Sequence, residues 1–230
     1  MKVCIYGAGA IGGYLGVELA QVEGVEVSLI ARGAHLAAIR ENGLKLEIGE
    51  EEHVAKVRAT DDPKELGPQD FVIVALKTHQ AWEVADQMVP LLGDETAVVT
   101  CQNGVPWWYF HGVDNAYRNL RLNTVDPDDR QWDLIGPQRA IGCVVYPATE
   151  ITAPGVVKHT YGNKFAIGEP DGSISERCQR LSEVLEKAGF KAPVLPNIPS
   201  PQPPSVPPGV TEPGSSGSPL YTSSQRLVGV

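Results

Sequence analysis

The six residues Gly7-Ala8-Gly9-Ala10-Ile11-Gly12 constrain this chain more than any other feature. They follow a short apolar run, Met1 to Tyr6, and open a stretch from Gly13 to Val22 with helical spacing. A strand that enters a helix through glycines at these three positions is the fingerprint of a dinucleotide-binding βαβ unit. Gly7 lets the chain turn sharply out of the strand. Gly9 puts no side chain between the backbone and a pyrophosphate. Gly12 lets helix and strand pack closely. The helix N-terminus offers free N–H donors and the positive end of its dipole to phosphates. The alternative is an ordinary glycine-rich turn without a ligand. A strand on one side and a helix on the other favour the fingerprint.

The rest of the chain continues the alternation. Val25 to Ile30 reads as the second strand, and Ala34 to Asn42 as a helix with Gly43 as its C-cap. Leu44 to Ile48, and part of His53 to Ala59, alternate with period two, which predicts an antiparallel hairpin inserted in the sheet. Asp61-Asp62-Pro63 marks a loop and a helix start. Phe71 to Leu76 and Ala97 to Cys101 are continuous apolar runs, as in strands buried on both faces. Between them Thr78 to Leu92 reads as one helix, with Trp82, Ala85, Val89 and Leu92 on its apolar face. Ala140 to Tyr146 is β-prone, and Gly155 to Thr160 and Lys164 to Gly168 read as strands of a meander. Ser173-Ile174-Ser175-Glu176 fits a capping box before a helix with Leu181, Val184, Leu185 and Ala188 inward. Lys191 to Leu195 reads as a last strand. The expected fold is α/β: a doubly wound, mostly parallel Rossmann-type sheet over residues 1–198. From 199 to 230 the composition turns to Pro, Ser and Gly, which predicts an irregular or disordered tail. A proline-rich ligand for an aromatic groove is the other reading of that segment.

Charge and composition exclude several function classes. With a net charge of −9 and no Lys/Arg run, no nucleic-acid partner is expected. No stretch approaches the roughly 18 apolar residues of a membrane span, and no signal peptide is visible. A cytoplasmic protein without membrane contact is expected. Cys4, Cys101, Cys143 and Cys178 are widely spaced and read as buried, reduced thiols. No His, Cys or carboxylate spacing suggests a metal site.

The end of the second strand identifies the cofactor class. An acidic residue there would bind the ribose 2′-OH of NAD. This chain has Ile30-Ala31-Arg32 instead, and a guanidinium can pair with a 2′-phosphate. Arg32 therefore points to NADP(H). Lys77 and Asn103 follow strands at their carboxyl ends, the edge where open α/β sheets bind ligands. On chemistry alone each stays open. Lys77 also reads as a surface lysine at a helix start, and Asn103-Gly104 as a turn dipeptide.

Taken together these residues resemble the ketopantoate reductase family (2-dehydropantoate 2-reductase). The resemblance rests on Gly7 to Gly13, Ala31-Arg32-Gly33, Ala75-Leu76-Lys77-Thr78, Gln102-Asn103-Gly104-Val105 and Ile141-Gly142-Cys143-Val144-Val145. It extends through Val156 to Gly168 to Leu195-Pro196-Asn197-Ile198. It implies an NADPH-dependent reductase of a 2-oxo acid in pantothenate synthesis. By resemblance, Gly7, Ala8, Gly9, Ala10, Ile11, Gly12 and Arg32 hold the pyrophosphate and 2′-phosphate. Lys77 and Asn103 lie beside the nicotinamide ribose and the substrate. Ala148, at the end of its strand, lies near the cofactor. The family continues into an all-helical domain with a proton-donating lysine. Here the proline-rich segment stands in that place, so a missing helical domain, an unassigned catalytic residue and reduced activity are expected. Other readings are a non-catalytic NADP-binding or dimerisation module, and a reductase of another 2-oxo acid. Apolar residues at Val105 to Phe110 and Val144 to Pro147 suggest a homodimer.

Overall fold

A computed structural model describes residues 1–114, 116–196 and 198, and the backbone of two short strands near the end of the chain. The elements in order are β1 (Lys2–Tyr6), α1 (Ala10–Leu19), β2 (Glu26–Ile30), α2 (Gly33–Asn42), β3 (Leu44–Ile48), β4 (Glu51–Ala55), β5 (Arg58–Thr60) and β6 (Gln69–Val74). There follow α3 (Thr78–Ala81), α4 (Ala85–Met88), β7 (Leu92–Cys101), α5 (Arg130–Leu134), β8 (Ala140–Val145), β9 (Ala148–Ala153), β10 (Val156–Tyr161), β11 (Phe165–Gly168) and α6 (Glu176–Lys187). Most of the expected tail, at 199–219, 222–226 and 230, lies outside the described residues. Within that span β12 (Leu220–Tyr221) pairs antiparallel with β13 (Leu227–Gly229).

The main sheet has seven strands in the order β11-β8-β7-β6-β1-β2-β5. All its pairs are parallel except β11 with β8. The expected doubly wound α/β sheet is therefore what the chain forms. Alternate residues of the central strands enter two different cores. Val3, Ile5, Phe71, Ile73 and Val99 pack with α1 and α6, while Cys4, Tyr6, Val72, Val74 and Val98 pack with Ala81, Ala85, Met88 and Leu91. Burial on both faces is why these strands read as unbroken apolar runs.

A second sheet of four strands, β4-β3-β10-β9, packs on the far side of α1. This corrects two expectations. The hairpin β3–β4 is antiparallel as read, but it is not inserted in the main sheet: β3 pairs parallel with β10. Its alternation leaves one apolar face (Leu44, Leu46 and Ala55 are buried), whereas a place in the main sheet needs two. Only Arg58–Thr60 of the expected second hairpin strand reaches the main sheet, beside β2. The meander is also split. β11 is buried along its whole length and joins β8, while β10 alternates and stays in the second sheet with β9, a strand not expected from sequence.

Two helices differ in detail. The expected helix over 78–92 is broken into α3, α4 and two 3₁₀ turns, Trp82–Val84 and Val89–Leu91. Val84 leaves helical geometry (φ −111°, ψ 12°), and Pro90 has no N–H to continue the ladder. The inward set becomes Ala81, Ala85, Met88 and Leu91, and Val89 is exposed. At α6 the cap is Ser175 rather than Ser173: its side chain accepts from the Cys178 N–H, two residues later than the expected box. The inward residues Leu181, Val184, Leu185 and Ala188 are as read.

Candidate functional site

The chain crosses from one side of β1 to the other between β2 and β6, so the carboxyl ends of β1 and β6 flank the point where strand order reverses. Open α/β sheets bind ligands there. The three fingerprint glycines occupy this point with three different surroundings. Gly7 has φ +101°, and a Cβ would lie 2.6 Å from Leu76 Cδ2. At Gly12 a Cβ would lie 2.0 Å from the Gly7 carbonyl oxygen and 3.1 Å from Ala75 Cβ. At Gly9 it would meet nothing within 4 Å. The outer two glycines are therefore filled by protein, and the middle one faces open space.

Above Gly9 stands the N-terminus of α1, a helix of 10 residues with no side-chain cap and no acidic residue in its first turn. Its first N–H groups have no intrahelical acceptor. The loop is anchored from below: the N–H groups of Gly7 and Ala8 both donate to the Ile30 carbonyl, at 3.1 and 3.0 Å. Arg32 follows two residues later as the N-cap of α2. Its guanidinium is exposed and has no hydrogen bond or ion pair among the described residues.

Lys77 caps α3 from the end of β6, exposed and likewise without a side-chain partner among the described residues. The helix behind it is only 4 residues long, so a strong dipole penalty on this lysine does not arise. Asn103 is held firmly. Its Nδ2 donates to the Val145 carbonyl at 2.9 Å, and its Oδ1 accepts the Val145 N–H at 3.0 Å, extending the β7–β8 ladder. The adjacent Gln102 Nε2 donates to the Leu76 carbonyl at 3.0 Å. Two successive carboxamides thus stitch together the loops after β6, β7 and β8. Sequence reading singled out Asn103 and passed over Gln102, although an amide at a strand end was the available signal. Ala148 does not end its strand. It lies beyond β8 as the first residue of β9, half-buried, its carbonyl accepting from Thr160 Oγ1 at 2.8 Å.

Other candidates fall away on burial. All four cysteines are buried free thiols. Burial pushes Cys4 and Cys178 up to about 12. A hydrogen bond to Cys101, its neighbour across β7–β8, together with burial, raises Cys143 well above the usual thiol value. None of these three is a thiolate nucleophile at neutral pH. Trp107 and Trp108 are each 2% exposed, and Trp108 Nε1 donates to Thr100 Oγ1 at 3.1 Å, so both serve packing. Tyr146 remains exposed. Among the described residues no group of three or more His, Cys, Asp or Glu side chains could hold a metal ion, and no helix is long and apolar enough to cross a membrane.

Fold and site define a class first: a Rossmann-type domain of the kind that binds nicotinamide dinucleotides. Comparison with known proteins then makes the class particular. The chain belongs to the family described as "Ketopantoate reductase PanE/ApbA", whose model matches residues 3–172. It is 54% identical over 198 residues to the 2-dehydropantoate 2-reductase of Mesorhizobium japonicum, covering 86% of this chain and 61% of that protein. A crystal structure from Ralstonia solanacearum MolK2, assigned to ketopantoate reductase, superposes with a TM-score of 0.81 at 40% identity, over 86% of this chain and 61% of that one. A PanE/ApbA family ketopantoate reductase from Ralstonia eutropha JMP134 gives a TM-score of 0.69 at 31% identity, over 86% and 58%. The chain thus spans about three-fifths of the length of these relatives.

Proposed function

We propose that residues 1–198 hold NADP(H) for the reduction of a 2-oxo acid, 2-dehydropantoate to pantoate, in pantothenate synthesis. The observation that carries this reading is the open space at Gly9 between two glycines whose own space is filled. A diphosphate can approach the backbone there. The N–H groups of Gly9, Ala10, Ile11 and Gly12 face it at the start of α1 and stabilise its charge without a side chain. The uncommitted guanidinium of Arg32 supports NADP(H) over NAD(H), because it can form a bidentate pair with a 2′-phosphate. Family membership supports the substrate class. Four free buried thiols and no disulfide among the described residues fit a reducing cytoplasm.

When bound, the dinucleotide supplies hydride to the keto carbon. Lys77 brings a positive charge to the carboxyl end of β6, where the substrate carboxylate and the ribose hydroxyls would need one. Asn103, fixed by Val145, lines the same edge, and Ala148 closes it beyond β8. An alkoxide formed there needs a proton donor, and we assign none to residues 1–198.

Coenzyme titration tests the reading. Arg32→Ala should weaken NADPH by about thirtyfold, the worth of a charge-assisted pair near 2 kcal/mol. NADH should change by less than about twofold. Equal losses would refute the 2′-phosphate role. With NADPH and 2-dehydropantoate the purified 230-residue chain should bind coenzyme and turn over little, and rapid turnover would overturn the absence of an acid in residues 1–198.

A further inference from the structure

His35 joins two parts of the molecule that are 120 residues apart in sequence. It stands in the first turn of α2, three residues after Arg32. The Gly155 N–H donates to its Nδ1 at 2.9 Å, and its Nε2 lies 2.7 Å from the Ala8 carbonyl oxygen. These two partners dictate the tautomer. A backbone N–H only donates, so Nδ1 carries no proton; a carbonyl only accepts, so Nε2 carries it. On the far side, Gly155 forms the turn between β9 and β10, seated so closely on α2 that a Cβ there would lie 3.0 Å from Ala38 Cβ. The imidazole is thus braced by the second sheet and bonded to the glycine loop.

The bond to Ala8 matters because of the geometry of one peptide unit. In a trans peptide the carbonyl of residue 8 and the N–H of residue 9 point in opposite directions. Holding the Ala8 carbonyl on His35 turns the Gly9 N–H away from α2. The Ala8 N–H is already bonded to Ile30, so the residue is held at both polar groups. The Gly9 N–H itself has no acceptor among the described residues. Ala8 is 2% exposed, so its carbonyl has little access to water as a substitute partner.

We propose that His35, as the Nε2–H tautomer, is a positioning residue that sets the Ala8–Gly9 peptide so that the Gly9 N–H is presented to the coenzyme diphosphate. The proposal rests on the NADP(H) reading, and its test separates the two. In the full chain, imidazole ¹⁵N spectra should show a protonated Nε2 and a bare Nδ1; the opposite tautomer overturns the proposal whatever the variants do. His35→Leu should speed exchange of the Ala8 amide about tenfold and weaken NADPH and NADH alike, also about tenfold. That pattern differs from Arg32→Ala, which spares NADH. His35→Gln can accept through Oε1 and donate through Nε2, and should recover most of both losses. If the wild-type chain binds neither coenzyme, the cofactor reading fails, and unchanged Ala8 exchange in His35→Leu still overturns the positioning role. Equal defects in the Leu and Gln variants at equal melting temperature would also overturn it, leaving a residue that only packs.

Discussion

The two sheets that grip α1 solve the same packing problem in opposite ways. The seven-stranded sheet is buried on both faces, and its strands feed two cores. The four-stranded sheet has one apolar face, turned to α1, and an outer face on which Lys45 pairs with Glu47 and Glu52 beside the exposed Val54. The helix between them cannot be amphipathic in the usual sense, and seven of its 10 residues are buried. It meets the main sheet through Gly12 and Gly16, and the second sheet through Gly13. The difference lies in tolerance. At Gly12 the helix rests against a backbone carbonyl oxygen, and at Gly13 against the tip of a side chain.

Substitutions on the two faces of α1 can break that comparison. Gly12→Ala should have the largest effect, because its Cβ would lie 2.0 Å from a carbonyl oxygen that cannot move without unfolding the loop. We expect a loss of about 3 kcal/mol in urea unfolding, together with coenzyme binding. At Gly13 the nearest atom to a new Cβ is Val157 Cγ2, at 2.6 Å. Gly13→Ala should therefore cost only about 1 kcal/mol, since overpacking is partly offset by the better helix propensity of alanine. Equal losses at the two positions would dismiss the contrast.

The smallest effect concerns the clip between α1 and the second sheet. His53 Nδ1 lies 2.8 Å from Glu18 Oε1, and this hydrogen bond raises the His53 pKa, with Glu51 adding to it. A raised folded-state value means stabilisation that is complete below the unfolded pKa of about 6.5 and lost as pH rises through the folded value. Wild type should exceed His53→Gln by a few tenths of a kcal/mol near pH 5.5, and the gap in melting temperature should close by about pH 8.5. A gap that widens with pH would show that the ion pair is not the source.

Much of the main sheet was legible because its signals are local. β-Branched runs mark strands buried on both faces, and the fingerprint glycines lie within six residues of one another. Arg32 was readable because its position follows from the strand before it. The second sheet was not. Alternation in Leu44 to Ile48 reports a half-buried strand without saying which sheet it joins, since its partner Val156 to His159 is distant in sequence. The break at Val84 and Pro90 was present in the residues, but the apolar spacing around them outweighed it. His35 was passed over for a related reason: nothing near it in sequence hints at Gly155.

That distant pairing has a consequence for the order in which the molecule is made. When Gly7 to Leu19 leaves the ribosome, β1 and β2 can soon cover one side of the helix, but its other side must wait for β10. Contacts of such long sequence separation form late and slow a fold. Until then Gly13 and Tyr14 present an uncovered apolar surface, which is the state most open to aggregation and to chaperones. The loop of fingerprint glycines is thus synthesised long before Gly155, which braces it through His35 from 120 residues further along the chain than that histidine.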